Sequence, residues 1–513
     1  MKKLDIGVVV TTLIIVTISC SLAFFAARVV GEPKDINLVA KNVAITFNDT
    51  SIIANGVVSP GWNTTKTFTI TNNSKEEYKY NISIKDLINT FVTKGYLQYK
   101  ITSTNSGYNM TEFKDIPKSS APKDTILAYS VSIPVGVTQS YTIEFKYAND
   151  ESVDQSEDMG KVLKGTLFIT EGTENIYAGY EEGTLGYQIM GDNPTRSTRS
   201  NNNNGKNEFS TPLTATTTGT LFKSTESITG ITDSPKEVYY YAGNTTNNWV
   251  KFANLYWRII RTNHDSSIRL LYVGTSHDTT TGNIGKSVFN TNINSPKYVG
   301  YKYGGATSLD TIRNNTTDST IKTYIDTWYQ NNLTNYTKYL STSAVYCNDR
   351  SLGTGQTYSA SANFNFAPYY RMDYERGAKA NPSYNCTDIR DAFSAENTSA
   401  KLDYPISLMT ADEIAFAGGV AFETMNTPYA WFISNSAGTQ VSTSWWSLSP
   451  SYLYSGHARV WYWDSGNARL DNGYVGGTYA VRPAISLKSC IKYSTGEGTS
   501  ESPYEIVETS SGC

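Results

Sequence analysis

The chain has 513 residues and a formal charge of -3, with charged residues at only 17%, below the roughly 25% of an average soluble domain. That balance argues against a polyanion partner, so no nucleic acid is expected, and solubility must come from neutral polar groups. The 38 tyrosines fit an exported, β-rich surface protein, while three histidines and five cysteines are too few for a multi-metal enzyme; no metal and no cofactor are expected.

In chain order, the first element is an apolar run from Ile6 to Ala27, preceded by Lys2 and Lys3 and followed by Arg28. It is long enough to cross a hydrocarbon core of about 30 Å as a helix, and the two lysines favour an N-inside, C-outside orientation. Residues 1–31 are therefore expected to anchor the chain, with membrane contact through residues 6–30. The competing reading is a cleaved signal, because Ser21 and Ala23 have signal-peptidase spacing; against it, the apolar run exceeds the usual stretch of about 7 to 15 residues.

Residues 36–171 alternate apolar and polar positions in short runs, such as 66–71 and 140–146, separated by turns such as Ser59-Pro60-Gly61 and Ala148-Asn149-Asp150. Such runs are half-buried strands, and about seven or eight of them predict an immunoglobulin-like sandwich, a stalk. The acidic loop 150–158 lacks the central glycine of a calcium loop and reads as solvated. Residues 172–235 break the pattern with asparagine and threonine tracts, and are expected to form a polar linker with a short packed helix near 185–189.

The last domain is expected over 236–513. Two strands pair about a turn at His264-Asp265, and Asp318 or Ser319 caps a helix carrying Ile321, Tyr324, Ile325 and Trp328 at the 3.6 repeat. A second helix starts at Thr410, has Asp412 and Glu413 in its first turn and stops at Gly418-Gly419. The mixture reads as α+β on an antiparallel sheet. Cys347, Cys386, Cys490 and Cys513 imply two disulfides, with proximity favouring 347 with 386 and 490 with 513. No pair has the CxxC spacing of a zinc site.

Within this region Tyr346-Cys-Asn-Asp-Arg-Ser351, the stretch 402–413, Trp446-Ser-Leu-Ser-Pro450, Ala480-Val-Arg-Pro483 and the closing 496–504 come in an ordered series. Over about 239–506 the series resembles an uncharacterised domain of Gram-positive surface proteins, which in turn looks like the C-type-lectin-like or formylglycine-generating-enzyme-like fold. The resemblance implies a lectin-like head after the stalk. The expected fold class is thus multidomain: an N-terminal transmembrane helix, an all-β immunoglobulin-like sandwich, and an α+β C-type-lectin-like domain. Arg482, held extended by Pro483, is the natural partner of Asp412 or Glu413. Trp445 and Trp446, adjacent on a strand, are expected to point to opposite faces, one of them exposed.

The segment 444–479 concentrates tyrosine, tryptophan, serine and arginine, the residues of binding hot spots and paratopes. The candidate ligand-binding residues are Trp445, Trp446, Tyr452, Tyr454, His457, Arg459, Trp461, Tyr462, Trp463, Asp464, Asn467, Arg469, Asp471 and Tyr474. The spacing equally allows Trp461 and Trp463 to face the core. No GxSxG, HExxH or P-loop pattern is present, and the cysteines are better used as staples than as a formylglycine-generating site, so no enzyme is expected. The leading expectation is a cell-surface recognition protein, an adhesin or receptor, whose partner is an extracellular protein or glycan. The alternative is a structural envelope component that self-associates or packs on wall polymer. A wall-acting hydrolase comes third, with no carboxylate pair to single out for it.

Overall fold

The structure, a computed structural model, describes residues 27–30, 36–40, 43–49, 57–93, 95–173, 175–201, 207–210, 213, 221–372, 380–424, 431–433 and 443–513. These residues form mostly β-sheet with few, short helices, and none of those helices is long and apolar enough to cross a membrane. Most of the expected anchor, residues 6–26, lies outside the described residues. Its expected end does not hold, because Ala27–Val30 is a strand paired in parallel with Val162, Leu163 and Lys164. There the backbone bonds to a neighbouring strand rather than to its own next turn.

The chain divides into two compact units, Met1–Asn175 and Ile176–Cys513. In the first, a five-stranded and a six-stranded sheet share one apolar core. The period-two reading explains why. In Thr138–Tyr147 every second residue from Gln139 onward is buried, and Tyr141 stacks on Phe68, its register partner in Asn63–Asn72, at 4.8 Å. The acidic loop is less solvated than expected. Asp158 is buried and accepts hydrogen bonds from the Val92 backbone N–H at 2.5 Å and the Tyr147 hydroxyl at 2.9 Å.

The second unit contains a ten-stranded and a six-stranded sheet around a large shared core. In the first sheet, Leu255–Thr262 and Ile268–Gly274 form the expected hairpin, and Pro483–Leu487 joins Ile268–Gly274 to Ile406–Leu408. Helix Thr320–Asn332 is capped by Ser319, whose hydroxyl accepts from the Lys322 N–H. Helix Ala411–Phe416 begins with a full capping box between Thr410 and Glu413. Cys347–Cys386 and Cys490–Cys513 are the two disulfides.

The linker expectation for 172–235 needs correction. The short packed helix expected near 185–189 is present as Leu185–Asp192, but it buries Leu185, Ile189 and Met190 in the core of the second unit, and strand Leu221–Glu226 pairs with Lys236–Tyr241, so these parts belong to that unit rather than to a linker. The polar tracts had masked apolar flanks that are well able to pack. Residues 202–206 and 214–220, which carry most of those tracts, lie outside the described residues.

Candidate functional site

The six-stranded sheet of the second unit carries the candidate binding residues, with Asn467 in the turn between two of its strands. Its centre is the meander Trp445–Tyr454, His457–Asp464 and Arg469–Tyr474, with Tyr454 opposite His457, Arg459 opposite Tyr474, and Asp464 opposite Arg469. At about 3.3 Å per residue, His457 and Asp464 lie roughly 20 Å apart. The fourteen candidates therefore do not form one patch.

One group is core. Trp445, Trp446, Trp461 and Trp463 are all buried, which corrects both their assignment to a binding surface and the expectation that one of the pair 445–446 is exposed. Both faces of this strand are covered. Trp445 lies beneath the Arg482 guanidinium, while Trp446 packs edge-on against Phe289 and donates from Nε1 to the Ser287 carbonyl at 3.0 Å. Trp461 meets Tyr369 and Phe422, and Trp463 meets Phe432 at 5.0 Å.

A second group closes the far turn. Asp464 accepts from the Gly466 N–H at 3.0 Å and the Asn467 amide at 2.6 Å, and Arg469 pairs with Asp471 at 2.7 Å. These contacts hold the turn and the edge strand. Tyr462 lies on the face opposite Trp461 and Trp463, where it meets its cross-strand partner Trp446 edge-on at 6.1 Å and stacks on Tyr479 at 4.3 Å.

The third group is open to solvent at the near end of the meander. Tyr454 is 51% exposed and Tyr474 42%. The Arg459 guanidinium lies 3.9 Å from the Tyr474 ring centre and 5.2 Å from that of Tyr452, and donates to Asn472 Oδ1 at 3.0 Å. His457 sits edge-on to Tyr474 at 5.5 Å, and Tyr452 rests against Tyr369 at 5.1 Å. Arg459 and Tyr474 share a face with Trp461 and Trp463 by strand alternation. What differs is cover: Tyr369 of helix Ala367–Met372, Phe422 and Phe432 lie over the tryptophans. Burial pushes the Tyr452 phenol above its usual range, so it stays a neutral donor. Tyr369, the floor of this cluster, was not foreseen, since it comes from about 80 residues upstream and carries no local signal.

Two charged clusters invite a chemical reading and do not support one. Glu413 accepts from Arg261 at 2.8 Å and Arg269 at 2.6 Å, Arg261 also holds Glu226 at 2.8 Å, and Arg371 bridges Asp349 and Asp412. These residues line a cavity of only about 20 Å³, room for a single water. This network also corrects the expected partner of Arg482, which instead donates to the Phe432 and Tyr272 carbonyls. Burial pushes Arg482 down to about 9. Elsewhere Asp318, Asp326 and Asp403 form the one carboxylate trio among the described residues close enough to share a cation. Lys322 Nζ already occupies its centre, at 3.0, 2.5 and 2.6 Å.

The first network makes stability acid-sensitive. Burial alone would raise the Glu226 carboxyl, but the Arg261 guanidinium and His264 outweigh it and hold it at about 2 instead of 4.5. A depressed carboxyl stabilises the fold above its unfolded pKa and loses that contribution as pH falls through the folded one. At about 1.4 kcal/mol per pKa unit, Glu226 contributes about 3 kcal/mol at neutral pH. Urea unfolding should show this loss between pH of about 4.5 and 2, and Glu226→Gln should flatten that part of the profile. An unaltered acid profile in the variant would contradict the assignment.

Comparison with protein-family models and with curated proteins returns no match. Among solved structures, the chain is similar at 10% identity and a TM-score of 0.16 to AvmM, which catalyses macrocyclization in alchivemycin A biosynthesis, over 28% of this chain and 98% of that one. A likeness that low carries no argument about fold or chemistry.

Proposed function

We propose that the protein is a cell-surface recognition protein, an adhesin or receptor, whose binding site is the near-end cluster of Tyr452, Tyr454, His457, Arg459 and Tyr474. The observation that carries this reading is the exposure of Tyr454 and Tyr474 beside a guanidinium stacked on an aromatic ring. Exposed tyrosines beside a half-buried arginine on a rigid sheet give contact area at little entropic cost. The two disulfides fit an oxidising, extracellular setting. We place the second unit in a C-type-lectin-like class and the first in an immunoglobulin-like one, held N-inside through the apolar run that begins at Ile6. The ligand is an extracellular protein or glycan, and no catalytic role is assigned.

The test uses the intact protein against arrays of surface proteins and glycans, beside Tyr454→Ala combined with Tyr474→Ala. Because both side chains are exposed, stability should change by less than about 0.5 kcal/mol each. Affinity for any specific ligand should fall by at least about thirtyfold, the cost of losing a hot spot of 2 kcal/mol. Assembly of the wild type without a ligand, abolished in the variant, would favour the envelope-component reading instead. Binding unaffected by the double variant would remove the site from this cluster.

A further inference from the structure

A second concavity lies outside that cluster, between the edge strand Lys286–Val288 and helix Thr320–Asn332. Its volume of about 690 Å³ is in the range of small-ligand sites, about 300 to 1,000 Å³. Asp318 is the only charged residue in its lining, and Lys302 at 3.3 Å and Lys322 at 3.0 Å already offset that carboxylate. The rest of the wall is threonine, serine and asparagine, with Tyr303, Tyr324 and Trp328.

Several polar groups in this wall remain unused. Among the described residues, the Trp328 indole N–H, the Tyr303 hydroxyl and the Asn331 side-chain amide have no hydrogen-bond partner. Tyr324, by contrast, is committed to the Ile284 carbonyl at 3.2 Å, and Asn290 to Thr320 and Tyr298. The groove thus offers aromatic surface with free donors and acceptors at its margin and no net charge. A phosphate or carboxylate ligand would find no cation in the lining, and a purely apolar ligand would strand the free polar groups. A pyranose fits both demands, since one face presents C–H groups to an aromatic ring and its rim presents hydroxyls. We propose that this groove binds a neutral oligosaccharide, with Trp328 as the platform and Tyr303 and Asn331 as hydroxyl partners.

The site shares no residue with the Tyr454–Tyr474 cluster, so the two readings can fail separately. Isothermal titration of the intact protein would use cellohexaose, maltohexaose and chitohexaose as neutral probes and hexagalacturonate as the acidic control. At least one neutral hexaose should bind in the micromolar to millimolar range, with the acidic one binding at least about tenfold more weakly. Trp328→Ala should weaken that binding by at least about tenfold. Since Trp328 also touches Tyr272 in the core, a second variant is needed: Thr327→Trp, at an exposed position in the lining, fills the groove without disturbing the core. It should abolish binding while leaving far-ultraviolet circular dichroism and the urea unfolding midpoint unchanged, and the Tyr454→Ala, Tyr474→Ala protein should bind as the wild type does. No neutral hexaose bound at millimolar concentration, equal affinity for hexagalacturonate, or full binding by a folded Thr327→Trp protein would each overturn the proposal.

Discussion

Glu413→Ala should destabilise the second unit by about 3 to 5 kcal/mol, the cost of removing one partner from a buried ion pair. The side chain has three duties at once. One oxygen accepts from Arg261 and Arg269, and the other accepts from the Thr410 N–H in the capping box of helix Ala411–Phe416. Removing it leaves two buried guanidinium groups short of a counter-charge and frees a backbone donor. Glu413→Gln fills the same space and keeps one acceptor oxygen, for either the helix N–H or the arginines, so its loss should be smaller. Urea titrations followed by near-ultraviolet circular dichroism would measure both. A loss below about 1 kcal/mol in the alanine variant would mean that the network is bystander electrostatics, as exposed pairs are.

Trp463→Ala should cost about as much, 3 to 5 kcal/mol, for a different reason. The side chain is fully buried against Phe432, and its ring lies close to the backbone of Gly419. Truncation would leave a cavity that the flanking sheet cannot collapse to fill. The comparison with Tyr454→Ala is the point of the experiment, because both residues were candidates for one binding surface. A large stability loss at 463 and almost none at 454 would divide the segment as the structure does. Equal, small losses at both would return Trp463 to the surface.

Local signals in the sequence held up where a single element determines the outcome. The alternation in Thr138–Tyr147, the Ser319 and Thr410 caps and the hairpin about Asp265 each depend on neighbours within a few residues. The disulfide pairs followed loop length. What could not be read depends on cover from distant segments. Trp446 is buried because Phe289 packs on it, and Trp461 because Tyr369 and Phe422 do. Strand period alone assigns a face and says nothing of what lies over it. Arg482 illustrates the same limit: a carboxylate nearby in the motif series was the obvious partner, yet the arginines of two adjacent strands, Arg261 and Arg269, reach Glu413 first. The groove beside Trp328 was invisible for a related reason, since its walls come from the 286–291 segment and a helix that reads as an ordinary amphipathic one.

The tryptophans have an optical consequence. Seven of the nine are buried, and the two partly buried ones are Trp62 and Trp328. None belongs to the open cluster of Tyr454 and Tyr474. Emission from the buried indoles is blue-shifted and moves to the red only when their surroundings open to water, so it reports folding. A ligand on the tyrosine cluster touches no indole, and one in the groove touches a single indole, Trp328. The unfolding signal therefore comes from the buried indoles, the groove's occupancy signal from the one half-buried indole of Trp328, and that of the open cluster from tyrosines.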